Sequence, residues 1–246
     1  TAMEFMETTE MALLCRRAEH RHAGVPCGIM DQFACVLARP GAALLLDCRT
    51  HAYEHVPLDF DNLTVMIIDT QVKHALGSGQ YAVRQQQCRQ GVDYFGKIDP
   101  SITALRDVSE AMLTRHLTQI DPTAAARCHH VVTENQRVLD AVDALKRGDL
   151  VRVGQLLVES HASLRDRYAV SCDELDAVVE IVTAVDGVYG ARMTGGGFGG
   201  SVVALVRSSA GRAVEAALDH HYNPIHDKPV RILPTTPAGG AEVISP

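Results

Sequence analysis

The chain has 246 residues, 46% hydrophobic and 22% charged. This is the make-up of an ordinary globular chain long enough to bury about 70–75% of its unfolded surface, and it excludes wholesale disorder and coiled coil. Lys and Arg total 23 against 30 Asp and Glu, a net charge of −7, so no global field draws nucleic acid or anionic lipid, and an anionic ligand needs a local site.

Along the chain, residues 2–23 carry apolar positions at Phe5, Met6, Leu13, Leu14 and Ala18 with roughly helical spacing, closed by Gly24 and Pro26. A second helix is predicted over 31–38, stopped by Pro40-Gly41. The period then changes. Residues 43–48, 52–56 and 63–70 read as strands, the last continuous enough in apolar residues to be buried on both faces. From 80 to 185 the pattern is mostly helical. Helices are predicted over 80–96, 101–116, 123–147, 149–166 and 171–185, with Asp121-Pro122, Gly148-Asp149 and Ser171 as boundaries. Strands return at 187–193, 201–207 and 230–234, with a helix over 210–221. The tail from Pro234, rich in Pro, Gly and Thr, is expected to loop away. There is no internal repeat. The one plausible domain break lies near residue 60, and strands at both ends of the longer region with helices between them predict an α+β sandwich.

Seven cysteines stand at 15, 27, 35, 48, 88, 128 and 172, an odd number with no CxxC pair. They read as free thiols in a reducing, cytoplasmic compartment. No apolar run reaches about 18 residues and no signal peptide is evident, so no membrane partner is expected. The sequence opens on Thr1 rather than Met, and upstream sequence is expected.

Three chemical motifs test poorly. Gly195-x-Gly197-x-x-Gly200 matches the dinucleotide fingerprint in letters, but Ser201-Val202-Val203-Ala204-Leu205-Val206 follows as a strand, and the fingerprint must open a helix. Gly91–Lys97 fits GxxxxGK but continues with Ile98 where a Mg²⁺-binding hydroxyl is required. The twelve histidines include no His-Glu-x-x-His, and the adjacent pairs His129-His130 and His220-His221 point apart on helices. Two runs stand out instead. Five glycines in six positions, 195–200, mark a turn under geometric demand, either a sharp turn between packed strands or a close backbone approach to a ligand. Cys27-Gly28-Ile29-Met30-Asp31-Gln32 puts a glycine at a turn and an aspartate at a helix start, where capping is the ordinary use. Taken alone, Tyr81 reads as half-buried packing and Glu19 as a solvated charge.

Together these runs resemble the galactokinases of the GHMP small-molecule kinase superfamily. The likeness rests on Gly24-Val25-Pro26-Cys27-Gly28-Ile29-Met30-Asp31-Gln32-Phe33, on Leu44-Leu45-Leu46-Asp47-Cys48-Arg49, and on Tyr81 with Arg84, Gln87 and Cys88. It continues through Ser160-His161-x-Ser163-Leu164-Arg165-Asp166-x-Tyr168, Glu174-Leu175-Asp176 and the run from Arg192 to Gly200. The resemblance implies an α+β, GHMP kinase-type fold, with residues 1–60 as the last part of the N-terminal domain and 61–246 as the C-terminal domain. It implies transfer of the γ-phosphoryl of ATP to the C1 hydroxyl of α-D-galactose. Asp31 is then the catalytic carboxylate beside the anomeric hydroxyl, Gly28 a backbone contact to the sugar, and Tyr81 a contact to another sugar hydroxyl. Gly195, Gly196 and Gly197 lie against the phosphate-binding loop, and Glu19 helps to hold Mg²⁺. The family's Gly-Glu-His-Thr-Asp run with its Arg, and its Gly-Leu-Ser-Ser-Ser loop, do not occur in this sequence. Both are expected upstream of Thr1, and the chain alone is expected to be inactive. Position 85 is Gln where the family often has a second Arg. A monomer is the expected state. A neighbouring sugar kinase acting on N-acetylgalactosamine or arabinose, and a non-catalytic sugar sensor that signals to a protein, remain open alternatives.

Overall fold

The computed structural model describes residues 6–24, 27–58, 60–73 and 77–242, so residues 2–5 of the first predicted helix and Val25-Pro26 of the loop after it lie outside the described residues. The chain divides into two compact units, Thr1–Asp61 with Thr236–Pro246, and Asn62–Thr235. No helix among the described residues is long and apolar enough to cross a membrane.

The first unit opens with helix α1 (Thr8–Ala18), which widens into a π-helical turn over Glu19–Ala23 and ends at Gly24, whose φ of 66° is left-handed. Helix α2 (Met30–Leu37) follows, then an antiparallel pair, β1 (Ala42–Leu46) and β2 (Tyr53–Pro57), in register from Ala42↔Pro57 to Leu46↔Tyr53. Its core is small: Ala12, Ile29, Phe33 and Leu37, with Leu13, Val36, Leu44 and Leu46 packed against them. The tail does not loop away from this unit. The Gly240 and Ala241 N–H groups donate to Ala38 O (2.9 Å) and Cys35 O (2.6 Å), and the Gly41 N–H donates to Pro237 O (3.2 Å). The end of α2 leaves carbonyls without intrahelical partners, and the tail satisfies two carbonyls there.

The second unit is built on an antiparallel sheet of order β4-β5-β3-β6, from β3 (Leu63–Lys73), β4 (Val188–Thr194), β5 (Gly199–Arg207) and β6 (Arg231–Thr235). The sequence predicts β3 to be buried on both faces. Instead Met66, Ile68 and Thr70 are fully buried while Val65, Ile67 and Asp69 between them stay half-exposed. A strand with one covered face buries every second residue. Met66 and Ile68 join Val202, Ala204 and Val206 of β5, Ala191 and Met193 of β4, and the apolar sides of α7 (Asp173–Thr183) and α8 (Gly211–His221) in one core.

A second core is helical. Phe95 of α3 (Gly77–Ile98), Leu113 of α4 (Glu110–His116) and Ala124, Ala125, Cys128 and Val132 of α5 (Pro122–Lys146) pack around Ile102, Leu105 and Ile120. The single helix predicted over 101–116 is broken here. The Asp107 carboxylate accepts from the Thr103 and Ala104 N–H groups (3.0 Å each), and Ser109 Oγ accepts from the Met112 N–H (3.2 Å) to cap α4. These side chains compete with the helix for backbone donors. Two other boundary residues act as read from the sequence, Asp121 capping α5, with Pro122 at its first position, and Asp149 capping α6 (Leu150–Ser163), whereas Ser171 does not cap the next helix, whose cap position is Cys172. Helix α6 meets β4 backbone to backbone, since a Cβ on Gly154 would stand 1.8 Å from Tyr189 O.

Candidate active site

In the first unit the π-helical turn places Glu19 next to the start of α2. Its Oε2 accepts from Gln32 Nε2 at 2.5 Å and from Cys27 Sγ at 3.4 Å, and His20 Nε2 lies 2.8 Å from Cys27 O. Burial, then the Glu19 carboxylate, push the Cys27 thiol above its ordinary value. π-turns inside helices recur at functional sites, and here the turn hands a carboxylate from one helix to the next. Gly28 does not adopt a left-handed φ, and its missing side chain leaves open space within 4 Å. Asp31 occupies the second position of α2, behind Ile29 at the cap position, and no side chain caps that helix. It is therefore not the capping residue its place in the sequence suggested. It is exposed, in a first turn whose dipole favours negative charge. Gln32, its chain neighbour, ties this turn to Glu19.

The described residues hold no group of three or more His, Cys, Asp or Glu able to surround a metal. Mg²⁺ keeps several waters and takes one or two carboxylates together with substrate phosphates. Glu19 fits as one such ligand, and it does not make a self-sufficient site.

In the second unit Tyr81 stands near the start of α3, 45% exposed. One turn later Arg84 is buried. Its Nε donates to Tyr168 O (2.8 Å) and its Nη2 to Ala169 O (2.7 Å). Those carbonyls end a π-helical turn, Leu164–Tyr168, which closes at Ala169 with a left-handed φ of 52°. Burial, Cys88 and then Tyr81 push the Tyr168 phenol up. The glycine run is a hairpin between β4 and β5. Gly195 and Gly196 form an exposed tip, where a Cβ on either residue would meet nothing within 4 Å, whereas Gly197 is pressed against Val170. The strand after Gly200 agrees with rejection of the dinucleotide fingerprint. Asp31, Gly28 and Glu19 thus belong to one unit, and Tyr81, Gly195, Gly196 and Gly197 to the other.

Several supporting residues escaped the sequence reading. Arg127 donates to Arg167 O and, at 3.2 Å, to Gln87 Oε1. Burial and the nearby Arg84 charge pull its value below that of an ordinary arginine. Glu134 accepts from Ser160, Arg137 and Arg192, and Arg192 Nε also donates to Met193 O (3.0 Å), bracing β4 just before the hairpin. Buried His161 accepts the Met193 N–H on Nδ1 at 3.2 Å, which puts its proton on Nε2. Nε2 lies 3.1 Å from Asp176 Oδ1, within ion-pair reach but outside hydrogen-bond geometry. Burial lowers the His161 value, against the opposing pull of Asp176. His161 and Asp176 sit in segments that carry the family resemblance. Arg127 carries no local signal, because its partners lie 40 residues away, and of the partners of Glu134 only Arg137 is near in the chain, Ser160 and Arg192 lying 26 and 58 residues away.

Residues 141–224 match the family model described as GHMP kinases C terminal. The chain is 46% identical over 212 residues to the galactokinase of Bos taurus, which covers 86% of this chain and 53% of that protein. It is 45% identical over 211 residues to that of Homo sapiens, with the same coverage. The chain spans about half the length of the curated relatives it matches. Among solved structures it is similar to Lactococcus lactis galactokinase complexed with galactose, at TM-score 0.91 and 33% identity, over 96% of this chain and 61% of that one. L. major mevalonate kinase in complex with R-mevalonate follows at TM-score 0.58 and 22% identity, a likeness of fold alone. Residues 141–224 are thus similar to the GHMP kinase C-terminal family, and most of the chain is similar in sequence and fold to galactokinases.

Proposed function

We propose that the protein is a galactokinase, which moves the γ-phosphoryl of ATP to the C1 hydroxyl of α-D-galactose and releases ADP. The observation that carries this reading is the turn Gly28-Ile29-Met30-Asp31-Gln32. Its aspartate is exposed at the start of α2, its glutamine is bonded to Glu19, and it lies in a chain similar in sequence and fold to galactokinases. Phosphoryl transfer runs through a loose transition state with spread negative charge, so the protein acts mainly by positioning and electrostatics. Asp31 orients the C1 hydroxyl and takes its proton as the new O–P bond forms and the β–γ bridge breaks. The Gly28 backbone, open for lack of a side chain, contacts the sugar, and the Tyr81 hydroxyl bonds a second sugar hydroxyl. The open hairpin tip, Gly195 and Gly196 with Gly197 behind them, comes close to the phosphates. Mg²⁺ supplies charge neutralisation on those phosphates when bound, and Glu19 is the carboxylate that would help to hold it. A monomer in the cytoplasm completes the proposal.

The test is formation of galactose 1-phosphate from galactose, ATP and Mg²⁺ by the protein expressed from its complete reading frame, with N-acetylgalactosamine and arabinose in parallel. Preference for galactose supports the reading. Binding of galactose in calorimetry without any phosphate transfer refutes it.

A further inference from the structure

A segment between α6 and α7 ends in a row of four carbonyls, each with a dedicated donor. Arg167 O accepts from Arg127 Nη1, Tyr168 O from Arg84 Nε at 2.8 Å, and Ala169 O from Arg84 Nη2 at 2.7 Å. The fourth, Val170 O, accepts the Phe198 N–H at 2.7 Å. Phe198 belongs to the glycine hairpin, and Gly197 beside it meets the same carbonyl so closely that a Cβ there would stand 2.2 Å from it. The Arg84 guanidinium also lies over the Phe198 ring, 5.7 Å from its centroid. One side chain therefore grips the hairpin twice: through the carbonyl row on which the hairpin rests, and through the ring at its turn. Gln87 Oε1, between the two arginines, accepts from Arg127 Nε (3.2 Å) and stands 3.5 Å from Arg84 Nη1.

We propose that Arg84 is a positioning residue for phosphoryl transfer, setting the height of the Gly195-Gly196-Gly197 tip through Val170 and Phe198. This rests on the kinase reading given above. Arg84 is only 9% exposed and its donors point at protein carbonyls, so it acts through the hairpin and not on a ligand. The chemistry calls for arginine. A planar guanidinium bonds two neighbouring carbonyls while offering its face to a ring, whereas a lysine ammonium is a point charge on a flexible stem. Arg84 sits one turn after Tyr81 on α3, so the hairpin is braced from the helix that carries the proposed sugar contact.

Arg84→Lys keeps the charge and loses the fork, and Arg84→Ala removes both. Both would be made in the protein expressed from its complete reading frame and followed by amide hydrogen exchange and by steady-state kinetics. In Arg84→Lys the Phe198 amide should exchange about tenfold faster, the scale of one charge-assisted bond, with exchange across 202–206 of β5 unchanged. The kcat should fall about tenfold or more, since small misplacements at a reacting centre are expensive, while KM for galactose moves less than about threefold. Arg84→Ala should be worse in both. Unchanged exchange at Phe198 overturns the proposal, and so does equal acceleration at Phe198 and across β5, which marks general loosening. Absence of galactose phosphorylation in the unmodified protein defeats the kinase reading alone, because the exchange measurement needs no substrate and still decides whether Arg84 holds the hairpin.

Discussion

Gly197→Ala tests how the hairpin is held. The residue has a φ of 84°, a left-handed value, and its Cβ position lies 2.2 Å from Val170 O and 2.9 Å from Val170 Cβ. The left-handed backbone costs a residue with a side chain about 1–2 kcal/mol. The overlap is with backbone, which has no flexible end to swing aside, and overpacking of that kind costs about 1–3 kcal/mol. Together these give about 2–5 kcal/mol, with the Phe198–Val170 hydrogen bond the first contact to be displaced. Two neighbours serve as internal standards. Gly195 has a φ of 80° but nothing within 4 Å, so Gly195→Ala should cost only the backbone share, about 1–2 kcal/mol. Gly196 has open space and no left-handed φ, so Gly196→Ala should lie within about 0.5 kcal/mol of the parent. Urea unfolding of the three variants, compared by midpoint at constant slope, measures the order. Equal losses at all three positions, or a Gly197→Ala loss below that of Gly195→Ala, would show that contact with Val170 does not fix the turn. Gly196→Ala separates stability from chemistry: if the tip approaches phosphates, turnover should drop by about 10²-fold in a protein of near-normal stability.

Asp31→Asn should lower kcat by at least about 10²-fold, the lower end of general-base effects, and near-normal turnover would remove Asp31 from its proposed role. Tyr81→Phe should weaken galactose binding by about 1 kcal/mol, one neutral hydrogen bond, and unchanged affinity in calorimetry would count against that contact. His130 is buried, with Nδ1 2.9 Å from Ser163 Oγ and its ring 4.7 Å from that of Tyr168, and burial pulls its value down to about 4. The unfolded chain takes up that proton first as pH falls, so this share of stability is complete above about pH 6.5 and drains away towards pH 4. It amounts to about 3 kcal/mol. Urea midpoints between pH 7.5 and 4.5 should fall less steeply in His130→Gln than in the parent, and identical slopes would contradict the assignment.

The order of helices and strands lay in the sequence, because period and caps are local. Asp121-Pro122 and Gly148-Asp149 start α5 and α6 wherever the chain goes, and β5 shows in its own residues as an apolar run from Val202 to Val206. The segment around Asp31 and the glycine run were legible too, as ordered letters shared with galactokinases, although spacing alone gave a cap and a turn. Tertiary structure decided the rest. The sequence left β3 with no exposed side, and only the placement of α7 and α8 on one face of the sheet determined which of its apolar residues are fully buried. The Pro- and Gly-rich tail carried no signal that it would close the carbonyls at the end of α2. Nothing near Arg84 or Arg127 in the chain foretold that their guanidinium groups would seat the carbonyls of 167, 168 and 169, more than 80 and about 40 residues away. Local propensity acts over a few residues. A buried cation finds its partners only once the fold has brought distant backbone within hydrogen-bond reach.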